Sequence, residues 1–457
     1  MGPLFSGGGD ETLRPEYFTM LPLRPRKLAA GLLAASFAGV APVISLVALL
    51  SLVVVGIRLS LPAALISLPA VALQLAVFVL ASRLAVAAYG VLLRRRNGAI
   101  LAAIVNAFVL AFTAQGWALI VAYVSSDVQG VMARAARISP SGWGLVAVES
   151  AGNGSWWMVV LAIAGLGLLG AGMYVGWAAL LVRRTTASRD GVRPRRRLDA
   201  HDAWGAATAK ELRTWTRDLL YGHRLAFAFG YGLFFCLIPL AVGWSGMLPW
   251  TGPIVVLMAG AMAANLYGSD GTALWLTVTT PGAARIDVRA RQRAFLLVLT
   301  PPVLVLTVFL TAVSGQNSAW PLVLSVLPAL IGGAVGLAVL MSVVAAVPTE
   351  DPHERSANPI ASGGDDGQMV GMAYAMLAAT ALVAGPALAV ALLWSWWGLP
   401  VGLATGWLAR WGFGRLAGRR LEVRGPELLS MLRYGRVAEP RKKRAELPPW
   451  TRRKVAI

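Results

Sequence analysis

Few residues of this 457-residue chain have the types and spacing that catalysis requires. The three histidines, His201, His223 and His353, lie in connecting segments, and no serine–histidine–aspartate arrangement can be argued from them. A Walker A phosphate loop needs a lysine directly after a glycine, and none of the five lysines follows one. No cluster of histidine, cysteine and carboxylate side chains has metal-ligand spacing. We therefore expect no enzyme activity, no cofactor and no metal site in this chain.

Polar side chains inside apolar segments are the remaining candidates for function. Asn106, Gln115 and Asn265 are weak candidates for a substrate pathway. Asn106 and Gln115 lie nine residues apart in one predicted helix, so at about 100° per residue they point to opposite sides. For each residue the favoured alternative is a hydrogen bond between helices, worth about 0.6 kcal/mol on average in a membrane protein.

Long apolar helices must position these residues. The chain is 57% hydrophobic and 14% charged, whereas a typical soluble domain is about 25% charged. Apolar runs of about twenty residues are long enough to cross a ~30 Å hydrocarbon core. We predict an all-α polytopic membrane protein with ten transmembrane helices, at residues 28–57, 62–92, 99–124, 156–182, 225–246, 252–268, 294–313, 320–347, 369–393 and 395–411.

The basic residues predict the orientation of these helices. Of 41 lysines and arginines, only Arg58, Arg134 and Arg137 fall in loops assigned to one side. Because basic residues accumulate in cytoplasmic loops, both termini are expected in the cytoplasm. The net charge of +20 then predicts a lipid bilayer as partner, and no nucleic acid. Abundant Arg, Ala and Gly with few Lys indicate a GC-rich bacterium, such as an actinobacterium. The predicted location is therefore the plasma membrane of such a bacterium.

An internal repeat predicts two homologous halves. Residues 9–88 resemble residues 268–347 at a constant separation of 259 (281 − 22), a spacing kept by the pairs Pro22/Pro281, Pro42/Pro301, Pro62/Pro321 and Pro69/Pro328. A repeat of this length indicates a duplicated unit. A complete copy would have six spans, an even number, so the halves are expected to be parallel. The first copy lacks counterparts of two spans, which predicts either a start site assigned too far downstream or a natural form with four plus six spans.

These patterns divide the chain into five segments. They are a cytoplasmic N-terminal segment at 1–27, a first half at 28–183 with an extracytoplasmic loop at 125–155, a cytoplasmic linker with an amphipathic helix at 184–224, a second half at 225–411 with a cytoplasmic loop at 268–293, and a basic cytoplasmic tail at 412–457. In the linker, Trp204, Leu212 and Trp215 lie on one apolar stripe, which suits a helix in the headgroup layer.

The order AKELRTWTRD, two spans, then NLYGSDGTALWLTVTTPG resembles the permease of ABC-2-type exporters. The resemblance implies an amphipathic connecting helix before the first span of a unit and a cytoplasmic coupling element that meets a separate ATPase subunit, in two copies, which binds ATP and Mg. It also implies a re-entrant segment before the last span, here within 125–155. In the second copy that segment has shrunk to the turn WSWWGLP.

Carried over residue by residue, the resemblance implies three sets of force-transmitting residues. One coupling element would contain Gly268, Asp270, Leu274, Trp275, Thr280 and Pro281. The other would contain Asp10, Leu13, Phe18, Leu21 and Pro22. The connecting helix would be marked by Glu211, Arg213, Arg217 and Asp218.

The sequence leaves two alternatives to an ATP-driven exporter open. An ion-coupled secondary transporter would suit the duplicated halves. All 21 acidic residues, however, lie outside the predicted spans, and such carriers usually place ionisable groups at membrane depth. The second alternative is a membrane scaffold that transports nothing. The exported substrate cannot be read from the sequence.

Overall fold

The computed structural model describes residues 25–37, 39–92, 96–125, 129–186, 202–348 and 366–434. All the elements that these residues form are α-helices or 3-10 helices. The described residues fall into two compact units. The first comprises residues 25–186 together with Leu237–Trp244, and the second comprises residues 202–236, 245–348 and 366–434. The prediction at 1–24, most of the basic linker and residues 435–457 lie outside the described part of the chain.

Apolar helices of membrane-spanning length dominate both units. Within the described residues, nine stretches are long and apolar enough to cross a membrane, namely Ala41–Leu59, Leu61–Tyr89, Asn97–Ala114, Trp156–Leu180, Leu219–Val242, Ser245–Met262, Ala283–Ser314, Ala319–Val344 and Gly367–Arg433. The last stretch runs through two helices separated by a short 3-10 turn. The expectation of an all-helical, multi-pass membrane protein is confirmed at this level, while ten spans and cytoplasmic termini stay predictions.

The first unit contains nine α-helices within its described residues. They are α1 (Pro25–Ser36), α2 (Val40–Leu49), α3 (Ser51–Leu59), α4 (Leu61–Leu92), α5 (Arg96–Ala114), α6 (Gly116–Ser125), α7 (Gln129–Ile138), α8 (Trp143–Gly152) and α9 (Trp156–Thr186). The span predicted at 28–57 is broken, and its membrane-length part begins at Ala41. Pro42 lies in the first turn of α2, a position where a proline is favoured because the backbone N–H that it lacks has no partner within the helix there.

The predicted extracytoplasmic loop at 125–155 is largely helical. Within it, α8 packs against α3, α4 and α9. Gln74 of α4 donates to the carbonyl oxygen of Pro140 at 3.2 Å and accepts from the backbone N–H of Gly144 at 3.2 Å. Ala70 and Val148 are fully buried beside this link. A single glutamine side chain thus fixes the turn before α8 to α4.

The second unit is built around one central helix. Its elements are α10 (Ala203–Arg217), α11 (Leu219–Leu237), α12 (Thr251–Met262), α13 (Leu266–Asp270), α14 (Trp275–Thr279), α15 (Ala283–Ser314), α16 (Ala319–Val344), α17 (Asp366–Trp394) and α18 (Gly398–Tyr434). α16 packs on α12, α17 and α18. A Cβ at Gly406 of α18 would lie 2.3 Å from the carbonyl oxygen of Pro328 of α16. Small residues therefore let the two backbones touch, as in many membrane helix pairs.

The last helix is longer than the sequence indicated. It was expected to end at residue 411, with a basic tail from 412, but α18 continues to Tyr434. Leu421, Leu428 and Leu432 are buried at intervals of seven and four residues, which keeps them on one helix face. Glu422, Arg424 and Glu427 between them lower the local hydropathy and hide this face from a search for apolar runs.

Candidate functional site: a buried ionic cluster

Arg291 of α15 gathers three carboxylates from three parts of the second unit. Its side chain is 1% exposed. Its Nε donates to Oδ2 of Asp287, one helical turn earlier, at 2.8 Å. Its Nη2 donates to Oδ2 of Asp270, at the end of α13, and lies 3.4 Å from Oε1 of Glu211 on α10. One guanidinium therefore joins the amphipathic helix, the loop before α15 and α15 itself.

Lys210 and Tyr267 complete this ionic cluster. Lys210 Nζ lies 3.0 Å from Oε1 of Glu211 and 3.7 Å from Oδ1 of Asp287. The Tyr267 hydroxyl donates to Oδ2 of Asp287 at 2.8 Å, and its ring centroid lies 4.3 Å from the Arg291 guanidinium carbon. Burial first, and then the charge of Asp287, raises the pKa of Tyr267 well above its usual value. The phenol therefore stays neutral and continues to donate.

The pKa of Lys210 reflects the balance of charge in the ionic cluster. Burial, followed by the positive charge of Arg291, acts to lower that pKa. The carboxylates of Glu211, Asp287 and Asp270 act in the opposite direction and prevail, so the pKa of Lys210 is raised. The cluster contains three carboxylates and two cations, and the second cation is needed to offset the excess of negative charge.

The local sequence places each of these groups. Asp202 caps α10 by accepting the backbone N–H of Gly205 at 2.7 Å, which fixes where the helix begins. After Asp270 the chain turns at Gly271, whose φ of 55° and ψ of −130° suit only glycine. Gly282, at φ 73°, precedes α15. Two glycine turns therefore bring the loop back onto the first turns of α15.

Aromatic packing supports the ionic cluster from the apolar side. Trp215 of α10 stacks on Phe295 of α15, with ring centroids 5.0 Å apart and planes inclined by 7°. Tyr221 of α11 meets the edge of Trp215 at 4.8 Å. Such aromatic pairs add about 0.5–1.5 kcal/mol each beyond the area that they bury. The amphipathic helix is thus held to α15 by both charge and ring contacts, and packs on protein through the stripe that the sequence assigned to headgroups.

Asn265 is used as a structural tie. Its side-chain nitrogen donates to the carbonyl oxygen of Val347 at 2.9 Å, and its oxygen accepts from the Val347 backbone N–H at 3.2 Å. A Cβ at Gly268 would lie 2.2 Å from Oδ1 of Asn265. Glycine is therefore required at 268 for this close approach. This paired arrangement joins the segment between α12 and α13 to the segment that follows α16, and the assignment of Asn265 to a substrate pathway stays a prediction.

In the first unit, the two other pathway candidates have different surroundings. Gln115 is buried at the end of α5, and its side-chain oxygen accepts from the indole N–H of Trp117 at 2.5 Å. Asn106 is half-buried on α5, which ends at Ala114, so the two residues do not share one uninterrupted helix as predicted. These contacts leave the pathway assignment a prediction.

The predicted coupling element splits into a buried part and an exposed part. Gly268 and Leu274 are buried, and Asp270 is half-buried in the ionic cluster. The other three predicted residues, Trp275, Thr280 and Pro281, are exposed. Trp275 is 54% exposed and its neighbour Leu276 is 60% exposed. We refer to Trp275, Leu276, Thr280 and Pro281 as the coupling tip.

Only one of the four residues predicted to mark the connecting helix joins the ionic cluster. Glu211 is buried in it, whereas Arg217 is exposed and Arg213 is half-buried. Asp218 accepts from the backbone N–H of Leu220 at 2.8 Å and so caps α11. The first coupling element, with Asp10, Leu13, Phe18, Leu21 and Pro22, lies outside the described residues.

Comparison of the chain with family models, with curated proteins and with solved structures found no match. The function proposed below therefore rests on the geometry of the second unit.

Sequence reasoning missed four members of the ionic cluster, namely Lys210, Tyr267, Asp287 and Arg291. Asp287 and Arg291 are spaced by four residues, which is the spacing of a helical ion pair and was available as a signal. Arg291 instead falls in the predicted cytoplasmic loop at 268–293. The span predicted at 294–313 began too late to show that both residues lie on a helix that starts at Ala283.

Proposed function

We propose that this chain is the transmembrane permease subunit of an ATP-binding cassette exporter. In this proposal a separate ATPase subunit binds ATP and Mg, and the chain supplies the path for the substrate across a bacterial plasma membrane. The observation that supports it is the ionic cluster. Arg291 links the helix predicted to connect the halves, through Glu211, to the loop predicted to contact the ATPase, through Asp270.

In this proposal, the ionic cluster makes α10, the loop with α13 and α14, and α15 move together. Removing one partner of a buried ion pair typically costs about 3–5 kcal/mol, because a charge is left buried without compensation. A push on the loop at α13 and α14 therefore moves α15 with it. α15 contains 32 residues and at 1.5 Å per residue is about 48 Å long. In this proposal, displacement at its first turns is passed along the helix to the Pro301–Pro302 pair, where the backbone lacks two hydrogen bonds.

The coupling tip is the proposed contact for the ATPase subunit. It presents an indole and a leucine side chain to the surroundings next to a buried, fixed loop. Aromatic side chains are enriched at the centres of protein interfaces and provide much of their binding energy. Val278, behind the tip, packs near Gly425 of α18, where a Cβ would lie 3.1 Å from its side chain. The coupling tip therefore lies against a long helix, which we expect to limit its movement when the ATPase subunit binds.

Association with an ATPase subunit tests this proposal. The full chain and an ATP-binding cassette subunit from the same organism would be co-expressed and purified through a tag on the chain. Trp275→Ala should reduce recovery of the ATPase at least tenfold, which corresponds to about 1.4 kcal/mol. Trp396→Ala is the matched control, because Trp396 is also 54% exposed but lies in the turn before α18. Equal recovery with both variants, or no association with the unaltered chain, would argue against the proposal.

An ion-coupled carrier is the second candidate, favoured by one specific observation. Asp287 and Arg291 are buried ionisable residues on a helix of membrane-spanning length, and such residues often mark ion or proton pathways. Transport by reconstituted protein distinguishes the two. Flux that persists without ATP and stops when the ion gradient is collapsed would favour the carrier, whereas flux that needs ATP and the ATPase subunit would favour the exporter.

A further inference from the structure

A groove between α15 and α18 collects arginines. It encloses a cavity of about 520 Å³ within the second unit. Its charged lining is formed by Arg285, Arg289, Arg293, Arg410, Arg415 and Arg419. We call this feature the arginine groove. It is separate from the ionic cluster, whose side chains do not line it.

The positive charge of the arginine groove is largely uncompensated. Arg285 pairs with Glu422, Nε to Oε1, at 2.8 Å. Among the described residues, the other five arginines have no carboxylate within ion-pair distance. Like charges held together repel, so an anion placed between the arginines would stabilise this arrangement. The planar guanidinium fork matches phosphate oxygens particularly well.

Neighbouring aromatic rings hold several of the guanidiniums in place. The Arg415 guanidinium carbon lies 3.9 Å from the ring centroid of Trp411. Arg289 and Arg293 lie over the ring of Trp204 at 5.3 Å and 5.4 Å. Cation–π contacts fix the direction of a charge without neutralising it. The arginines are thus pre-positioned while their hydrogen-bonding capacity stays available.

The arginine groove has a fixed width because its two helices are tied together. Gln292 of α15 donates to the carbonyl oxygen of Arg410 of α18 at 3.0 Å. Gly414 makes room for that side chain, since a Cβ there would lie 2.6 Å from the Gln292 amide nitrogen. The cavity is therefore a feature of the packed helices and not a gap between loose side chains.

Apolar side chains continue the arginine groove along both helices. On α18, Leu403 and Trp407 stand before the arginines and are 56% and 61% exposed. On α15, Leu297 follows Arg293 by four residues, on the same face, and is 54% exposed. Tryptophan is enriched where a membrane helix meets the headgroup layer. The groove therefore lies where the apolar part of each helix gives way to its basic part.

We propose that the arginine groove binds one anionic phospholipid. The headgroup phosphate would accept hydrogen bonds from the arginines, and the acyl chains would lie along Trp407, Leu403 and Leu297. Basic pockets between membrane helices bind such headgroups. A free phosphate would contact the arginines alone, whereas a phospholipid would contact both the arginines and the apolar side chains that continue the groove. The inference concerns the second unit alone and does not depend on the proposed exporter function.

Lipid binding to paired variants of the full chain tests the inference. Arg415→Gln/Arg419→Gln removes two charges from the arginine groove. Arg420→Gln/Arg424→Gln removes two charges from exposed positions of the same helix that do not line it. Each delipidated protein in neutral detergent would be titrated with phosphatidylglycerol, with phosphatidylcholine and with inorganic phosphate. Binding would be followed by native mass spectrometry.

The unaltered chain should retain one phosphatidylglycerol and no phosphatidylcholine. The groove variant should bind phosphatidylglycerol about thirtyfold more weakly, equivalent to about 2 kcal/mol, and the control variant should match the unaltered chain. Equal weakening in both variants would show a diffuse charge effect and overturn the inference. Binding of inorganic phosphate as tightly as the lipid would overturn it as well, because it would show a small-anion site.

Discussion

Replacing Arg291 by methionine should destabilise the second unit strongly. Its side chain is 1% exposed and faces three carboxylates. Methionine fills a similar volume but leaves Lys210 as the only cation of the cluster. Breaking a buried ion pair in this way costs about 3–5 kcal/mol. The stability of a native protein is typically about 5–15 kcal/mol, so the variant should lose about a fifth or more of its folding free energy.

Equilibrium unfolding in mixed micelles measures this loss. Arg420→Met is the control, because Arg420 is exposed on α18 and an exposed substitution usually changes stability by less than 0.5 kcal/mol. A second substitution, Asp287→Asn, removes one of the carboxylates left without a cation. The double variant should therefore be less destabilised than the sum of the single variants, by about 1–3 kcal/mol. A loss below 1 kcal/mol for Arg291→Met, or simple additivity, would refute the view that the cluster holds this region together.

Two further predictions concern pH and close packing. The pKa of Lys210 is raised on folding. Its stabilising contribution is therefore present below the unfolded pKa of about 10.4 and is lost as pH rises through the folded pKa. Lys210→Met should reduce the fall in melting temperature at alkaline pH, and an unchanged alkaline profile would contradict the assignment. Gly332→Ala should cost about 1–3 kcal/mol by overpacking, since its Cβ would lie 2.0 Å from the Gly406 carbonyl oxygen. Gly385→Ala meets no atom within 4 Å and is its control in thermal unfolding, where equal melting temperatures would count against the close contact.

The apolar helices could be predicted from sequence because each is a local property. A run such as Trp156–Leu180 contains all the information that a span requires. The boundaries were harder, since packing decides them. Leu421 and Leu428 bury one face of α18 among many arginines, and hydropathy averaged over a window does not see a single face.

The ionic cluster could not be predicted because it joins residues far apart in the chain. Glu211, Asp270 and Arg291 come from three helices, and no periodicity relates them. The resemblance to a permease placed Glu211 and Asp270 in force-transmitting elements without indicating a common partner. That partner, Arg291, becomes apparent only when the glycine turn at Gly271 folds the loop onto α15.

The exporter proposal is tested most directly by measuring ATP hydrolysis by the proposed ATPase subunit. The rate would be measured with the unaltered chain and with Asp270→Asn, which weakens the link to Arg291 but leaves the coupling tip intact. We expect the variant still to bind the ATPase, while the chain loses its effect on the hydrolysis rate. An unchanged coupled rate in the variant, or the absence of any ATPase that responds to the chain, would contradict the exporter proposal.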